Sequence, residues 1–230
     1  MTDTNQANKP LLITGIERSG SSLMARIMDM CGAFTGPTTS MCENKKIKRY
    51  VDNYYDGIHA DRKGQYPLPN IKRLRENPCW GSRIADLIGE DGYNGTALWM
   101  YKSSRIGQLY PLWHRSFPSA KWLIVRRRSA DVIRSCMQTG FMTEYGNSYV
   151  QKKVHVSNER DGWRWWIHKH EELYRSMIDG GLNCMQIYPE RMMDGDYGQL
   201  QEVLEWVGLP WNDKIPSFLN EMLKKVEEVQ

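Results

Sequence analysis

The chain has 230 residues, 40% of them apolar and nine of them Trp, which is enough for a hydrophobic core in a single domain over residues 1–230. Its 31 basic and 27 acidic residues give a net charge of +4, so the composition excludes the strongly basic surface of proteins that coat nucleic acids. Five cysteines without a C-x-x-C pair argue against a disulfide framework or a zinc site, and no apolar run reaches the roughly 20 residues of a membrane span. Together with a polar N-terminus, these features predict a cytoplasmic protein without a membrane segment.

The first predicted unit is a strand, a glycine-rich loop and a helix. Leu11 to Thr14 is a short apolar run that enters the loop of residues 15–22, Gly-Ile-Glu-Arg-Ser-Gly-Ser-Ser. Apolar residues then recur at helical spacing: Leu23, Met24, Ile27, Met28 and Cys31. Residues 33–95 are polar, aromatic and basic, and their prolines predict short helices and loops. We interpret this segment as an insertion over the edge of a sheet.

Strands and helices alternate in the rest of the chain. Strands are predicted at residues 97–101, 122–125 and 184–188, and helices at 106–113, from about 130, at 163–177 and at 200–207. This alternation implies a parallel sheet with helical crossovers. The predicted fold is therefore α/β: a three-layer sandwich with a central parallel sheet, similar to the P-loop NTPases, with a helical and loop insertion after the first helix.

The loop after the first strand has the G-x-x-x-x-G frame of a phosphate-binding loop. Its backbone N–H groups and the N-terminus of the following helix, which carries about half a positive charge, converge on one point and favour an anion. Five loop residues would contact this anion: Arg18, Ser19, Gly20, Ser21 and Ser22. The alternative is an ordinary tight turn, since glycine-rich turns between a strand and a helix are common.

The pattern does not predict a magnesium nucleoside triphosphate. Ser21 stands where an NTPase has its lysine, and no acidic residue follows a predicted strand to hold magnesium. Cations follow the strands instead: Lys102 after one and residues 126–128, Arg-Arg-Arg, after another. Because ligands bind at the strand ends of such sheets, a dianionic ligand without a metal suits the site.

Two segments resemble the nucleotide-binding motifs of sulfotransferases that use 3′-phosphoadenosine 5′-phosphosulfate (PAPS). Residues 18–22, Arg-Ser-Gly-Ser-Ser, resemble the family's 5′-phosphosulfate loop, with Arg18 in place of a lysine that is common in several branches. Residues 122–135 look like the family's 3′-phosphate motif, in which an arginine at a strand end and a serine eight residues later share that phosphate. Arg127 and Ser135 have this spacing.

Two more segments match in the same order along the chain. Residues 101–104, Tyr-Lys-Ser-Ser, resemble the Lys-Ser-Pro segment of the heparan-modifying branch, with Ser104 where proline is frequent. Residues 187–190, Ile-Tyr-Pro-Glu, resemble the family's Tyr-Glu-Asp-Leu strand. The four segments together are more specific than any one of them.

The resemblance implies transfer of a sulfuryl group from PAPS, without a metal, to a hydroxyl or amine of a small-molecule or glycan acceptor. Arg18 and Lys102 would stabilise charge near the transferred group. Glu43, placed as in the heparan-modifying branch, would take the proton of the acceptor. His59 is the second candidate for this base, and the alternative for Glu43 is a surface carboxylate paired with a neighbouring lysine.

Two other functions fit the loop. A nucleotide or small-molecule kinase with an atypical phosphate loop would bind ATP with magnesium, and a non-catalytic nucleotide-binding module would keep the loops without a base. The basic stretch Lys45–Tyr50 is interpreted as a solvated helix face, so no nucleic-acid partner is expected. Residues 33–95 are expected to lie on the acceptor side, and the sequence names neither the acceptor nor an oligomeric state.

Overall fold

The computed structural model describes residues 9–74 and 77–227, with side chains to residue 222. Within these residues, four parallel strands form a central sheet in the order β2-β1-β3-β4. The strands are β1 (Leu11–Thr14), β2 (Met100–Lys102), β3 (Lys121–Val125) and β4 (Cys184–Ile187). The predicted parallel sheet with helical crossovers is confirmed.

Helices cover both faces of this sheet. The described chain contains α1 (Ser21–Met30), α2 (Lys45–Gly57), α3 (Trp80–Glu90), α4 (Tyr110–Ser116), α5 (Ser129–Gln138), α6 (Ser148–Lys153), α7 (Glu159–Asp179), α8 (Pro189–Met193), α9 (Gly198–Val207) and α10 (Ile215–Glu227). Short 3-10 helices lie at Ile71–Arg73, Ser104–Leu109 and Glu144–Gly146. None of the helices in the described residues is both long and apolar enough to cross a bilayer.

The helix predicted at residues 106–113 is divided into the 3-10 helix Ser104–Leu109 and α4. Pro111 lies in the first turn of α4. A proline has no N–H to bond to the carbonyl four residues earlier, so a continuous α-helix through this point is disfavoured, whereas the first turn of a helix accepts proline. The division places Ser104 and its neighbours in a tight turn directly after β2.

Strand β2 begins three residues later than the predicted strand. The residues before it form hydrogen bonds with Phe34, which lies outside the four strands of the sheet. Phe34 N–H donates to the Leu98 carbonyl at 2.7 Å, and Met100 N–H donates to the Phe34 carbonyl at 2.8 Å. Trp99 thus forms an isolated bridge with Phe34. As a result Lys102, expected just beyond the strand, is its last residue, and it is only 6% exposed.

Alternate residues of the strands build two hydrophobic cores, one on each face of the sheet. On one face, Leu11 and Ile13 pack with apolar residues of α1, α9 and α10. On the other face, Leu12 packs with apolar residues of α2, α3, α4, α5 and α7. This period of two within β1 is what burial on both faces requires. The predicted three-layer sandwich is therefore confirmed.

Residues 33–95 contribute helices that pack into the second core. Tyr55 of α2 and Trp80 of α3 are fully buried, and the Trp80 ring meets the Trp113 ring edge to face at 5.7 Å. The start of α2 is fixed by Asn44, whose Oδ1 accepts a hydrogen bond from Ile47 N–H at 2.9 Å. Its Nδ2 also donates to the Thr35 carbonyl at 2.9 Å and to the carboxylate of Asp91 at 2.7 Å. The residue before this cap is Glu43, so its position is set by a well-anchored helix start.

Candidate active site

The glycine-rich loop between β1 and α1 is shaped as a cradle for an anion. A side chain at Gly15 would put Cβ 2.6 Å from the backbone carbonyl oxygen of Val125, so only glycine fits there. Gly20 has φ 96°, which favours glycine, and it begins α1 without a side-chain cap. The first N–H groups of α1 are therefore not satisfied by a capping side chain and can bind an anion.

The serine hydroxyl groups of the loop differ in their hydrogen-bond partners. Ser19 is 1% exposed, and its Oγ is buried without a hydrogen-bond partner, which costs about 1–3 kcal/mol for a group of this kind. Ser21 is buried in the first turn of α1. Ser22 Oγ donates to the Met41 carbonyl at 3.1 Å. An anion in the cradle would give the Ser19 hydroxyl an acceptor.

Arg18, Arg127 and Ser135 meet at the edge of this loop. The guanidinium Nε of Arg18 donates to Ser135 Oγ at 2.7 Å, and Nη1 of Arg127 donates to the Arg18 carbonyl at 3.0 Å. Arg18 has φ 70°, a conformation that is strained for a non-glycine residue and that the contact with Arg127 helps to hold. Residues from the two predicted nucleotide motifs are thus in direct contact, although 117 positions separate Arg18 from Ser135.

The three arginines after β3 have different surroundings. Arg126 pairs with Glu171, and its guanidinium lies 5.3 Å from the centre of the Tyr174 ring. Arg128 is mostly exposed and pairs with Asp131 at 2.9 Å. Arg127 is the member of the triplet that contacts the glycine-rich loop, through the carbonyl of Arg18. This is the arginine that the motif spacing selected.

Lys102 and Glu43 lie near each other beside the loop. The ammonium group of Lys102 donates to the Met41 carbonyl at 3.1 Å, the same oxygen that Ser22 contacts. Burial lowers the pKa of Lys102, and the nearby carboxylates of Glu43 and Glu17 oppose this effect. Glu43 is 8% exposed. The alternative of a surface carboxylate is therefore wrong for Glu43.

Glu17 is a site residue that the sequence reasoning missed. Its Oε1 accepts a hydrogen bond from Ser104 Oγ at 2.6 Å, while its Oε2 is buried without a partner. Burial raises the pKa of Glu17 to about 7, against the smaller opposing effects of the Ser104 hydrogen bond and the charge of Lys102. A carboxylate inside an anion-binding loop was the signal available in the sequence. Its partner Ser104 is one of the departures from the family pattern.

A cavity of about 250 Å³ is lined by several of these groups, whereas Glu43 and Ser135 lie outside its lining. Its polar lining comes from the loop, β2 and the end of β3: Glu17, Arg18, Ser21, Ser22, Lys102, Ser104 and Arg127. Apolar side chains of Leu23, Met41 and Phe141 line it as well. A larger cleft of about 430 Å³ lies between α3 and the end of α4. Because α4 leads into the amino end of β3, that cleft is at the opposite edge of the sheet from the phosphate loop.

Other residues considered from the sequence lie elsewhere. His59 is exposed just after the end of α2 and does not line the cavity of the phosphate loop. On the basic face of α2, Lys46 pairs with Asp91 at 2.9 Å and Lys48 with Asp52 at 2.7 Å. This pairing agrees with a solvated helix face.

Known proteins resemble this chain in sequence and in fold. Protein-tyrosine sulfotransferase A from Caenorhabditis elegans is 24% identical over 105 residues, which are 43% of this chain and only about a quarter (24%) of that relative. The crystal structure of sulfotransferase STF9 from Mycobacterium avium has a TM-score of 0.52 at 13% identity and covers 94% of this chain and 68% of its own. The sulfotransferase domain from the curacin biosynthetic pathway has a TM-score of 0.56 at 15% identity, with 90% and 76% covered. At these identities the two structures show a shared fold. The sequence profile of the sulfotransferase family matches residues 10–213, and the chain therefore belongs to the sulfotransferase family.

Proposed function

We propose that the protein transfers a sulfuryl group from PAPS to a hydroxyl or amine of a small-molecule or glycan acceptor, without a metal ion. The observation that carries this proposal is the junction of Arg18, Arg127 and Ser135 beside the uncapped start of α1. It offers two adjacent sets of anion contacts, as a nucleotide with phosphate groups at both its 3′ and 5′ positions requires. A ligand with one phosphate group would use only one set.

The residues of the site fit PAPS. The cradle of Gly15 and Gly20, with the partnerless Oγ of Ser19, would hold the 5′-phosphosulfate. Arg127 and Ser135 would hold the 3′-phosphate, the guanidinium and the hydroxyl both donating charge-assisted hydrogen bonds to its anionic oxygens. In this arrangement the ligand would replace the Ser135 contact of Arg18, whose guanidinium would then turn to the phosphosulfate.

PAPS supplies an activated sulfuryl group, and negative charge builds on its bridging oxygen as this group departs. Arg18 and Lys102 stabilise that charge, and burial makes the field of the Lys102 ammonium stronger than it would be in water. Glu43 takes the proton from the attacking hydroxyl or amine. The ammonium of Lys102 lies close enough to the Glu43 carboxylate for their opposite charges to attract, which places the proposed base beside the proposed cation.

The surroundings of the cavity support two narrower proposals. Met41 and Phe141, each more than 40% exposed, would contact an apolar part of the acceptor beside Lys102. All five cysteines are free, which supports our assignment of the protein to the cytoplasm. Both proposals can be tested separately from the reaction itself.

A thermal-shift experiment tests the function against a kinase. At 100 times its dissociation constant, the desulfonated nucleotide PAP should stabilise the protein by about 2.7 kcal/mol, or roughly 5–10 °C for a chain of this size. ATP with magnesium should give a much smaller shift. A larger shift with ATP and magnesium would favour a kinase, and PAP binding without transfer to any acceptor in a broad panel would favour a non-catalytic module.

A further inference from the structure

Glu17 places a carboxyl group inside a loop that is otherwise built for anions. It lines the same cavity as Arg18 and Lys102. One oxygen is occupied by the hydrogen bond from Ser104 at 2.6 Å, and the other, Oε2, is buried without a partner. Lys102 does not supply the missing contact, because its ammonium is directed to the Met41 carbonyl. The function proposed above gives this oxygen no role.

The charged groups around Glu17 do not favour its ionisation strongly enough to offset burial. Burial is the largest effect and raises the pKa of Glu17 to about 7. The charge of Lys102 lowers this pKa, and the charge of Glu43 raises it. Neutral titratable groups face Glu17 from the other packed elements: Tyr55 on α2, Cys136 on α5, Tyr145 in the turn before α6 and Tyr174 on α7. Burial raises the pKa of each of these four, so they contribute no charge near pH 7.

An anion in the cradle would change this balance further. A second negative charge close to an ionised Glu17 is unfavourable in a buried site, whereas the neutral acid has an O–H group that can donate to the anion. We propose that Glu17 is a proton-linked ligand of the nucleotide: it binds the anion as the neutral acid, and the hydrogen on Oε2 is donated to the 5′-phosphate region. This inference rests on the function proposed above.

The protein should therefore take up a proton when it binds PAP at a pH where free Glu17 is ionised. Above pH 7.5 the PAP phosphates are already fully ionised, since their second pKa is about 6. Any further pH dependence then belongs to the protein. Between pH 7.5 and 8.5 the affinity for PAP should fall by about tenfold per pH unit, as expected for the uptake of one proton.

Glu17→Gln is the matched variant, because it keeps a hydrogen-bond donor at this position and removes the titration. At pH 8 the variant should bind PAP about tenfold more tightly than the wild type, which must first protonate Glu17. At pH 6 the two should bind alike, and this equality also shows that the variant folds. Glu43→Gln serves as the control for the second carboxylate near Lys102.

Isothermal titration calorimetry with PAP at pH 8, in two buffers of different ionisation enthalpy, measures the proton uptake. We expect about one proton for the wild type and for Glu43→Gln, and about none for Glu17→Gln. Equal uptake by the wild type and Glu17→Gln would overturn the inference, as it would mean that Glu17 remains ionised or is not linked to binding. Loss of uptake in Glu43→Gln would also overturn it, because the proton would then depend on Glu43. If the wild type did not bind PAP at all, the proposed function would fail, and this inference with it.

Discussion

His170 is buried within a hydrogen-bond network that only its neutral form can satisfy. Its Nδ1–H donates to the Trp166 carbonyl at 2.9 Å, so Nε2 is the acceptor of a hydrogen bond from the Gln108 amide at 2.8 Å. The other contacts of Gln108 fix this orientation: its Nε2 also donates to the Gly64 carbonyl, and its Oε1 accepts from the Tyr55 hydroxyl. A proton on Nε2 of His170 would face an amide N–H group.

This environment predicts a loss of stability at mildly acidic pH. Burial lowers the pKa of His170 from 6.5 to about 4 in the folded protein. The unfolded chain therefore binds a proton at His170 below about pH 6.5, while the folded chain does so only near pH 4. The free energy of unfolding falls as the pH drops through this window, and the full difference between the two values corresponds to about 3 kcal/mol. The side chain is fully buried, so solvent does not reduce this figure.

The assay is urea denaturation of the wild type and His170→Gln at several values from pH 7 to pH 4. Glutamine does not titrate, and its substitution costs some stability at every pH through imperfect packing and hydrogen bonding. The informative quantity is the difference between the two proteins, which should shift in favour of the variant by about 3 kcal/mol on acidification. His168→Gln is the matched control, since His168 lies on the same helix with its side chain 68% exposed. A constant difference between wild type and His170→Gln over this range would refute the reasoning.

Three further predictions concern the candidate active site. Glu43→Gln should lower sulfuryl transfer by about 10²–10⁴-fold and leave PAP affinity unchanged, because a base is lost and no anion contact is. Arg127→Ala should weaken PAP binding by about 10–100-fold in a calorimetric titration, and should weaken adenosine 5′-phosphosulfate, which lacks the 3′-phosphate, much less, through the lost contact with the Arg18 carbonyl alone. Gly15→Ala should abolish binding of both nucleotides in the same titration, since its Cβ would lie 2.6 Å from the backbone carbonyl oxygen of Val125.

Each of these predictions has an outcome that contradicts it. Unchanged turnover in Glu43→Gln would remove Glu43 from the mechanism and return His59 to consideration. Equal weakening of both nucleotides by Arg127→Ala would mean that Arg127 does not distinguish the 3′-phosphate. Full nucleotide binding by Gly15→Ala would show that the loop has room to shift away from β3. Far-ultraviolet circular dichroism of each variant controls for loss of folding.

The fold could be predicted from the sequence because its main signals are local. The apolar runs that form β1 and β3 are short and clearly bounded, and the helices between strands have regular apolar spacing. Strand β2 was misplaced because the residues before it bond to Phe34, more than 60 positions away along the chain. Periodicity contains no information about such a partner.

The candidate site was only partly predictable for the same reason. The loop pattern selected Arg18 and the strand-end pattern selected the arginine triplet, whereas Ser135 was selected only through the family resemblance. Their mutual contacts emerged only in the folded chain. Glu17 and Ser104 were not paired from the sequence, because 87 positions separate them and neither segment indicates that the other is its neighbour. Ser104 departs from the family pattern, and this departure can be interpreted only when its contact with Glu17 is known.

The pairing of Glu17 with Ser104 also bears on how a chain of nearly balanced charge can hold a polyanion. The cations at the cavity, Arg18, Lys102 and Arg127, are opposed by Glu17, by nearby Glu43 and by Glu190, whose carboxylate lies 3.8 Å from Arg127. With Glu17 ionised, three carboxylates would oppose these three cations at the proposed nucleotide site. The proposed protonation of Glu17 would remove part of that opposition and leave the carboxylate of Glu43, the proposed base, in place. Under this proposal the local charge of the site, and not the net charge of the chain, determines the affinity for the nucleotide, and one proton is enough to change it.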